Sequence, residues 1–173
     1  ATGTAWDQIL EQRVLRPFGM ENAGFGWPSA QGDPWGHVID GEDLSSCSPD
    51  DVFEVPFWLI PAGHLHASAN DMGYFMQQYL KAYATAEHLS KHQVEHLFEP
   101  GIESALGWGV QEFGQHKRVA VYEGSLETFV AVIAIFPDAD HGIFVVANSA
   151  DPQSRQGLLE MIFALAPPAS PRE

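Results

Sequence analysis

The sequence predicts an α+β fold: a mainly helical lobe, then an antiparallel sheet of three to four strands, then a helix on one face of that sheet. Three observations carry the prediction. Met72, Phe75, Met76, Tyr79, Leu80 and Tyr83 recur at i, i+3, i+4 and i+7, the spacing of one helix face. From Leu106 onward the apolar period changes to two, the signature of strands. Leu158, Leu159, Ile162, Phe163 and Leu165 then return to helical spacing. Helices grouped ahead of a run of strands make an α+β rather than an alternating α/β architecture.

Taken in order, Thr4 with Asp7 is expected to open the first helix as a capping box, and Trp6, Ile9, Leu10 and Val14 give it an apolar stripe. Pro17 ends it. Gly19 to Gly63 is rich in Gly, Pro, Asp and Ser, yet holds Phe57, Trp58, Leu59 and Ile60. It is expected as a packed loop crossing a larger body. Ser68 and Asp71 form a second capping box ahead of the 72–83 stripe, and Ser90 is expected to cap a short helix that stops before Pro100. Leu106–Val110, Arg118–Glu123, Thr128–Phe136 and Gly142–Asn148 are expected strands, with a hairpin loop at 137–142. Tyr122-Glu123-Gly124-Ser125 is expected as a tight turn between the second and third of them. Asp151-Pro152 supplies the N-cap and first turn of the last helix. The organisation expected is a helical lobe over 1–104, the sheet and its helix over 105–166, and a frayed tail over 167–173. Strands 128–136 and 142–148 are apolar on both faces, so one helix should leave one face of the sheet uncovered.

Composition narrows the function. Eight basic residues against 23 acidic ones give a formal charge of −15. Nucleic acids and anionic membrane surfaces are recognised by basic patches, so neither is an expected partner. No run of 18 apolar residues is present to cross a bilayer as a helix. Cys47 is the sole cysteine and cannot form an internal disulfide. No phosphate loop or dinucleotide fingerprint occurs, and no cofactor is expected.

Four stretches, in order and at sensible spacing, carry a family resemblance. "TGTAWDQILEQRVLRPFGM" is similar to a helix ending in a "PLGM" element, and "PAGHLHASANDMGYFMQQYL" resembles a "PAGGL-S-A-DM–F" segment. "LGWGV" is similar to a "YGLGW" strand, and "YEGSLETFVAVIAIFPDADHGIFVVANS" resembles an "HxGG" turn followed by two strands. Together they resemble the C-terminal portion of the serine β-lactamase-like hydrolases, which include class C β-lactamases, D-alanyl-D-alanine carboxypeptidases and esterases. The resemblance covers residues 1 to about 165. It implies acyl transfer through a serine ester, with a Ser-x-x-Lys nucleophile motif, a Tyr-x-Asn motif, and a Lys-Thr-Gly or His-x-Gly element on a strand. No serine in this chain is followed three residues later by lysine, and no tyrosine is followed two residues later by asparagine. The resemblance therefore implies a C-terminal part whose nucleophile lies in an N-terminal segment, and a chain inactive by itself. The expected partners are that segment of the same protein or a second copy, and a small ester, amide or peptide substrate.

By position, Tyr122-Glu123-Gly124-Ser125 matches the third motif. The resemblance makes Tyr122, Gly124 and Ser125 the catalytic candidates: Gly124 admits close approach, and the Ser125 N–H would be half of an oxyanion hole. Glu123 and His64 are the candidate substrate contacts. Tyr122 stands where lysine or histidine is usual, and a phenol cannot supply their positive charge. Glu123 stands where a small residue is usual; facing the site, it would repel carboxylate-bearing substrates. Both departures point to esters, amides or amine-bearing substrates. Ser125 itself has no neighbouring base in any recognised motif and is not expected as the nucleophile.

A rival signal lies in His92-Gln-Val-Glu95-His96, which spells the His-x-x-Glu-His signature of inverted zinc proteases, with His88 one turn earlier. A catalytic zinc would need a third ligand, for which Glu112 or Glu160 could be offered. The helix is short and Pro100 follows closely, so no metal is expected. A third reading is a non-catalytic binding or oligomerisation module.

Overall fold

The computed structural model describes residues 3–40, 43–51, 54–85, 92–93, 96, 107–126 and 128–168. Its helices are Trp6–Leu10 (α1), continued by a π-helical turn Glu11–Leu15, then Ile60–Gly63 (α2), Ala69–Thr85 (α3) and Pro152–Leu165 (α4). Its strands are Gly24–Phe25 (β1), Gly36–Asp40 (β2), Asp43–Cys47 (β3), Leu65–His66 (β4), Gly109–Phe113 (β5), His116–Leu126 (β6), Phe129–Phe136 (β7) and His141–Ala147 (β8).

The main sheet is a four-stranded antiparallel meander, β5-β6-β7-β8. Period-two alternation gives it two apolar faces. Val119, Val130, Val132, Ala134, Phe136, Ile143 and Val145 pack with Leu158 and Ile162 of α4. Ala120, Ile133 and Ile135 face the other way and pack with Met76, Ala82 and Trp108. Each large side chain buried this way is worth about 1.5–3 kcal/mol of transfer free energy.

The second face is therefore not bare, as expected from the sequence, but carries α3. Met72, Phe75, Tyr79, Leu80 and Tyr83 pack onto it, so the 72–83 stripe finds its partner in the sheet. The approach is close at Gly142, where an added Cβ would lie 2.8 Å from Met76 Sδ. The α+β class holds, with a C-terminal helix on one face and α3 on the other.

Local chemistry explains most boundaries. Ser68 and Asp71 form the reciprocal box expected: the Asp71 N–H donates to Ser68 Oγ at 3.1 Å, and the Ser68 N–H donates to Asp71 Oδ2 at 3.0 Å. Asp71 is fully buried. Burial pushes its carboxyl up, but hydrogen bonds from Ser68 and Asn22 outweigh this and hold it below its ordinary value. The N-cap position of α1 falls on Ala5, one residue after Thr4. The following turn is π-helical, and Arg16 bonds Glu11 five residues back by both backbone (3.0 Å) and side chain (2.7 Å).

Within 19–63 the sequence missed the β2–β3 hairpin, whose strands are five residues each and, in β3, mostly exposed. It docks on the sheet through the His37–Ser149 bridge, and Asn148 Nδ2 donates to the Trp35 carbonyl at 2.8 Å. The expected helix after Ser90 lies largely outside the described residues. Pro167, where fraying was expected to begin, has its carbonyl 2.9 Å from His116 Nε2.

Candidate active-site strand

The expected turn at 122–125 is not a turn. Tyr122, Glu123, Gly124 and Ser125 lie inside β6, paired with Ile133, Val132, Ala131 and Val130 of β7. The chain reverses beyond them, where Leu126 pairs with Phe129 across a two-residue connection. A glycine next to a serine suggested a reversal, but the apolar alternation on β7 continues its pairing past Gly124.

The far edge of this stretch is distinctive. β5 pairs with β6 only as far as Val121, opposite Gly109. From Tyr122 to Leu126 no described strand pairs with the other edge of β6. Its outward backbone groups are thus available to something else.

Alternation then assigns the side chains. Ala120 belongs to the α3 side, and Tyr122 follows it there, with its ring 6.4 Å from Trp108 at 72°. Trp108 is core: it is buried and its Nε1 donates to Tyr79 Oη at 3.2 Å. Burial of Tyr79 pushes its phenol pKa up, against the hydrogen bond from Trp108. Gly124 shares the Tyr122 side, and a Cβ built on it would meet only Tyr122 Cε1, at 3.6 Å. That is ordinary contact, and Gly124 is not among the residues with positive φ. Neither packing nor backbone conformation of the described residues requires glycine here, although glycine inside a strand costs about 0.5–1 kcal/mol.

Glu123 points to the opposite side, toward α4. Arg155 Nε donates to Glu123 Oε1 and Arg155 Nη2 to Oε2 (3.1 Å), a bidentate fork. The carboxylate in turn raises the guanidinium pKa above its ordinary value. The expected repulsion of substrate carboxylates by Glu123 therefore loses its cause: the charge is paired and turned away from Tyr122 and Gly124. Arg155 escaped the sequence reading. The signal was present, because a basic residue four positions into a helix opposes the helix dipole and calls for a specific partner.

The 61–66 segment approaches β6 at its far end, where a Cβ on Gly63 would lie 3.5 Å from Leu126 Cδ2. His64 itself turns elsewhere: its carbonyl accepts from the Gly26 N–H at 2.8 Å, and its ring also reaches Gly26. His66 is a structural clamp, with Nδ1 2.8 Å from the Gly26 carbonyl and its ring over Gly24. The structure thus brings Tyr122, Gly124 and Leu126 together, with Gly63 beside them, and separates Glu123 and the His64 ring from them.

Of the zinc signature, His92 and His96 are described, with ring centroids 6.1 Å apart; His88 and Glu95 lie outside the described residues. Among the described residues no group of three or more His, Cys, Asp or Glu side chains could hold a metal. Nor is any described helix long and apolar enough to cross a membrane.

With a meander sheet, helices on both faces and an open-edged glycine strand in view, comparison with known proteins identifies the class. The family profile Beta-lactamase matches residues 1–166. The chain belongs to the Beta-lactamase family. Solved structures with the same fold include an octameric penicillin-binding protein homologue from Pyrococcus abyssi, at 20% identity and a TM-score of 0.68, over 95% of this chain and 38% of that one. A class C beta-lactamase is similar at 15% identity and a TM-score of 0.68, over 97% of this chain and 53% of its own. A beta-lactamase/D-alanine carboxypeptidase from Yersinia pestis, complexed with citrate, is similar at 18% identity and a TM-score of 0.61, over 94% of this chain and 48% of its own. The chain thus spans roughly half or less of these structures. No curated protein matches it.

Proposed function

We propose that this chain forms one wall of the acyl-transfer site of a serine hydrolase. The observation that carries the reading is Gly124: a strand-interior glycine on an open edge, required neither by φ nor by packing among the described residues. An edge without Cβ lets a substrate carbonyl approach the backbone, and a backbone N–H there, assigned to Ser125, donates to the developing oxyanion. One such donor is worth about 3–4 kcal/mol in a water-excluded site. Tyr122 and Gly124 line the α3 side of this wall.

The nucleophile comes from a segment outside residues 1–173, of the same protein or of a second copy, because the chain holds neither Ser-x-x-Lys nor Tyr-x-Asn. Alone, the chain is inactive. The substrates are small esters, amides or D-amino-acid peptides. With Glu123 paired to Arg155, the preference against carboxylate-bearing substrates rests on Tyr122 alone, which supplies no positive charge.

The test uses the longest natural form of the protein. It should turn over a nitrophenyl ester faster than a chromogenic cephalosporin, and a fluorophosphonate should label a serine outside this chain. Faster cephalosporin turnover would sink the substrate class. Labelling of Ser125, or no labelling and no turnover, would sink the reading itself.

A non-catalytic binding or oligomerisation module is the second reading, and the β8 edge favours it. β8 runs seven residues, HGIFVVA, without proline, lysine or bulge, and no described strand pairs with its outer side. By contrast β5, at the other edge, has five residues, is interrupted near Gln111 and carries Glu112. β5 is a blunted edge and β8 an accepting one.

A further inference from the structure

We propose that Arg155 is a positioning residue: its fork on Glu123 holds the 122–126 stretch of β6 against the start of α4. The inference rests on the acyl-transfer reading for its consequence in catalysis, but its structural part stands alone.

The stretch needs holding. From Tyr122 to Leu126 it is paired on one edge only, and Gly124 sits at its centre with no side chain to lock it. A backbone N–H that meets a developing charge must be in place beforehand, since a donor that reorients during the reaction loses much of its effect. Glu123 is the residue next to Gly124, and both of its carboxylate oxygens are engaged by one guanidinium.

The other end of the tether is rigid. Asp151 caps α4, accepting from the N–H groups of Gln153 (2.9 Å) and Ser154 (3.0 Å) and from the hydroxyls of Ser154 and Ser149. The Arg155 N–H closes the first helical bond to the Asp151 carbonyl at 3.0 Å. One turn on, Leu158 is buried in the core. Arg155 therefore projects from the best-anchored turn of the helix onto the least-anchored part of the strand. The pair is 58% and 26% exposed, so it adds little to global stability. Its geometric value is the planar fork, which lysine lacks.

Peptide-level hydrogen exchange across 122–126 provides the test, with 130–136 as control. Arg155→Ala should speed exchange in 122–126 about tenfold and leave 130–136 unchanged. Arg155→Lys should not restore it; the exchanged pair Glu123→Arg with Arg155→Glu should. In the longest natural form, Arg155→Ala should lower kcat about tenfold with little change in KM, and the exchanged pair should recover most of it. Unchanged exchange in 122–126, or an equal rise in 130–136, overturns the proposal whatever the activity. A protein that hydrolyses nothing would overturn the acyl-transfer reading, and the exchange measurement would still decide this one.

Discussion

Asp71 has no exposed surface, yet it is ionised by design of its surroundings rather than by a counter-charge. Ser68 donates to it from both backbone and hydroxyl (2.7 Å), and Asn22 donates from 49 residues away at 3.3 Å. Replacing it with asparagine leaves one of those donors facing an amide N–H₂, which should cost about 1–3 kcal/mol in urea denaturation at neutral pH. Because its folded pKa is depressed, its stabilisation is present above the unfolded value of about 3.9 and is lost as pH falls through the folded value. The difference between wild type and Asp71→Asn should therefore hold from pH 5 to 8 and shrink below about pH 4. Gly36 makes a second residue-scale prediction. A Cβ there would overlap the side chain of Thr128, which is buried beneath the β2–β3 hairpin. Gly36→Ala should lower stability by about 1–3 kcal/mol, measured as a shift in the urea midpoint. Neither Thr128 nor Gly36 could be paired from the sequence, because their contact joins elements some 90 residues apart.

At the scale of elements, side-chain chemistry close in sequence was the legible part. The 72–83 stripe, the Ser68–Asp71 box and the Asp151–Pro152 helix start all rest on contacts within a turn or two, and all three formed as read. The Gly124 turn failed because a local motif was overridden: β6 keeps its pairing with β7 through Gly124, and the reversal falls beyond Leu126. Asp151 offers a pH test of an element. Hydrogen bonds from Ser154, then Ser149 and Gln153, hold its carboxyl down to about 2. Its contribution is complete above the unfolded value near 3.9 and fades as pH falls toward about 2. Asp151→Ala should lower the Tm at neutral pH, and the gap from wild type should close on acidification; an equal gap at pH 2 and pH 7 would contradict this.

The whole molecule pairs a closed interior with an open edge. Both faces of the sheet are covered, which the sequence could not reveal because nothing in a helix stripe names the surface it will meet. Among the described residues the outer edge of β8 is unpaired along its whole length, in addition to the short 122–126 edge of β6, and it should make this chain associate with a partner strand or with itself. Light scattering should give a mass that rises with concentration, and Val146→Lys, at a half-exposed β8 position, should reduce it. A clean monomer at all concentrations would count against the accepting edge. The candidate site was legible only in part, for a related reason. Gly124 was offered by resemblance, whereas the orientation of Glu123 toward Arg155, 32 residues on, required the alternation of β6 to be known.

The meander order of β5 to β8 has a consequence in time. Each strand pairs with the next along the chain, through connections of a few residues, so the sheet can be built from contacts of short sequence separation, which form early. The docking of α3 on β8 at Gly142 joins parts far apart in the chain and follows later. Refolding from denaturant should then show a fast phase, independent of protein concentration, for the sheet and α4. A slower phase, sensitive to Gly142→Ala, should report the arrival of α3. Any strand joining at β8 would come last, as a step whose rate depends on concentration.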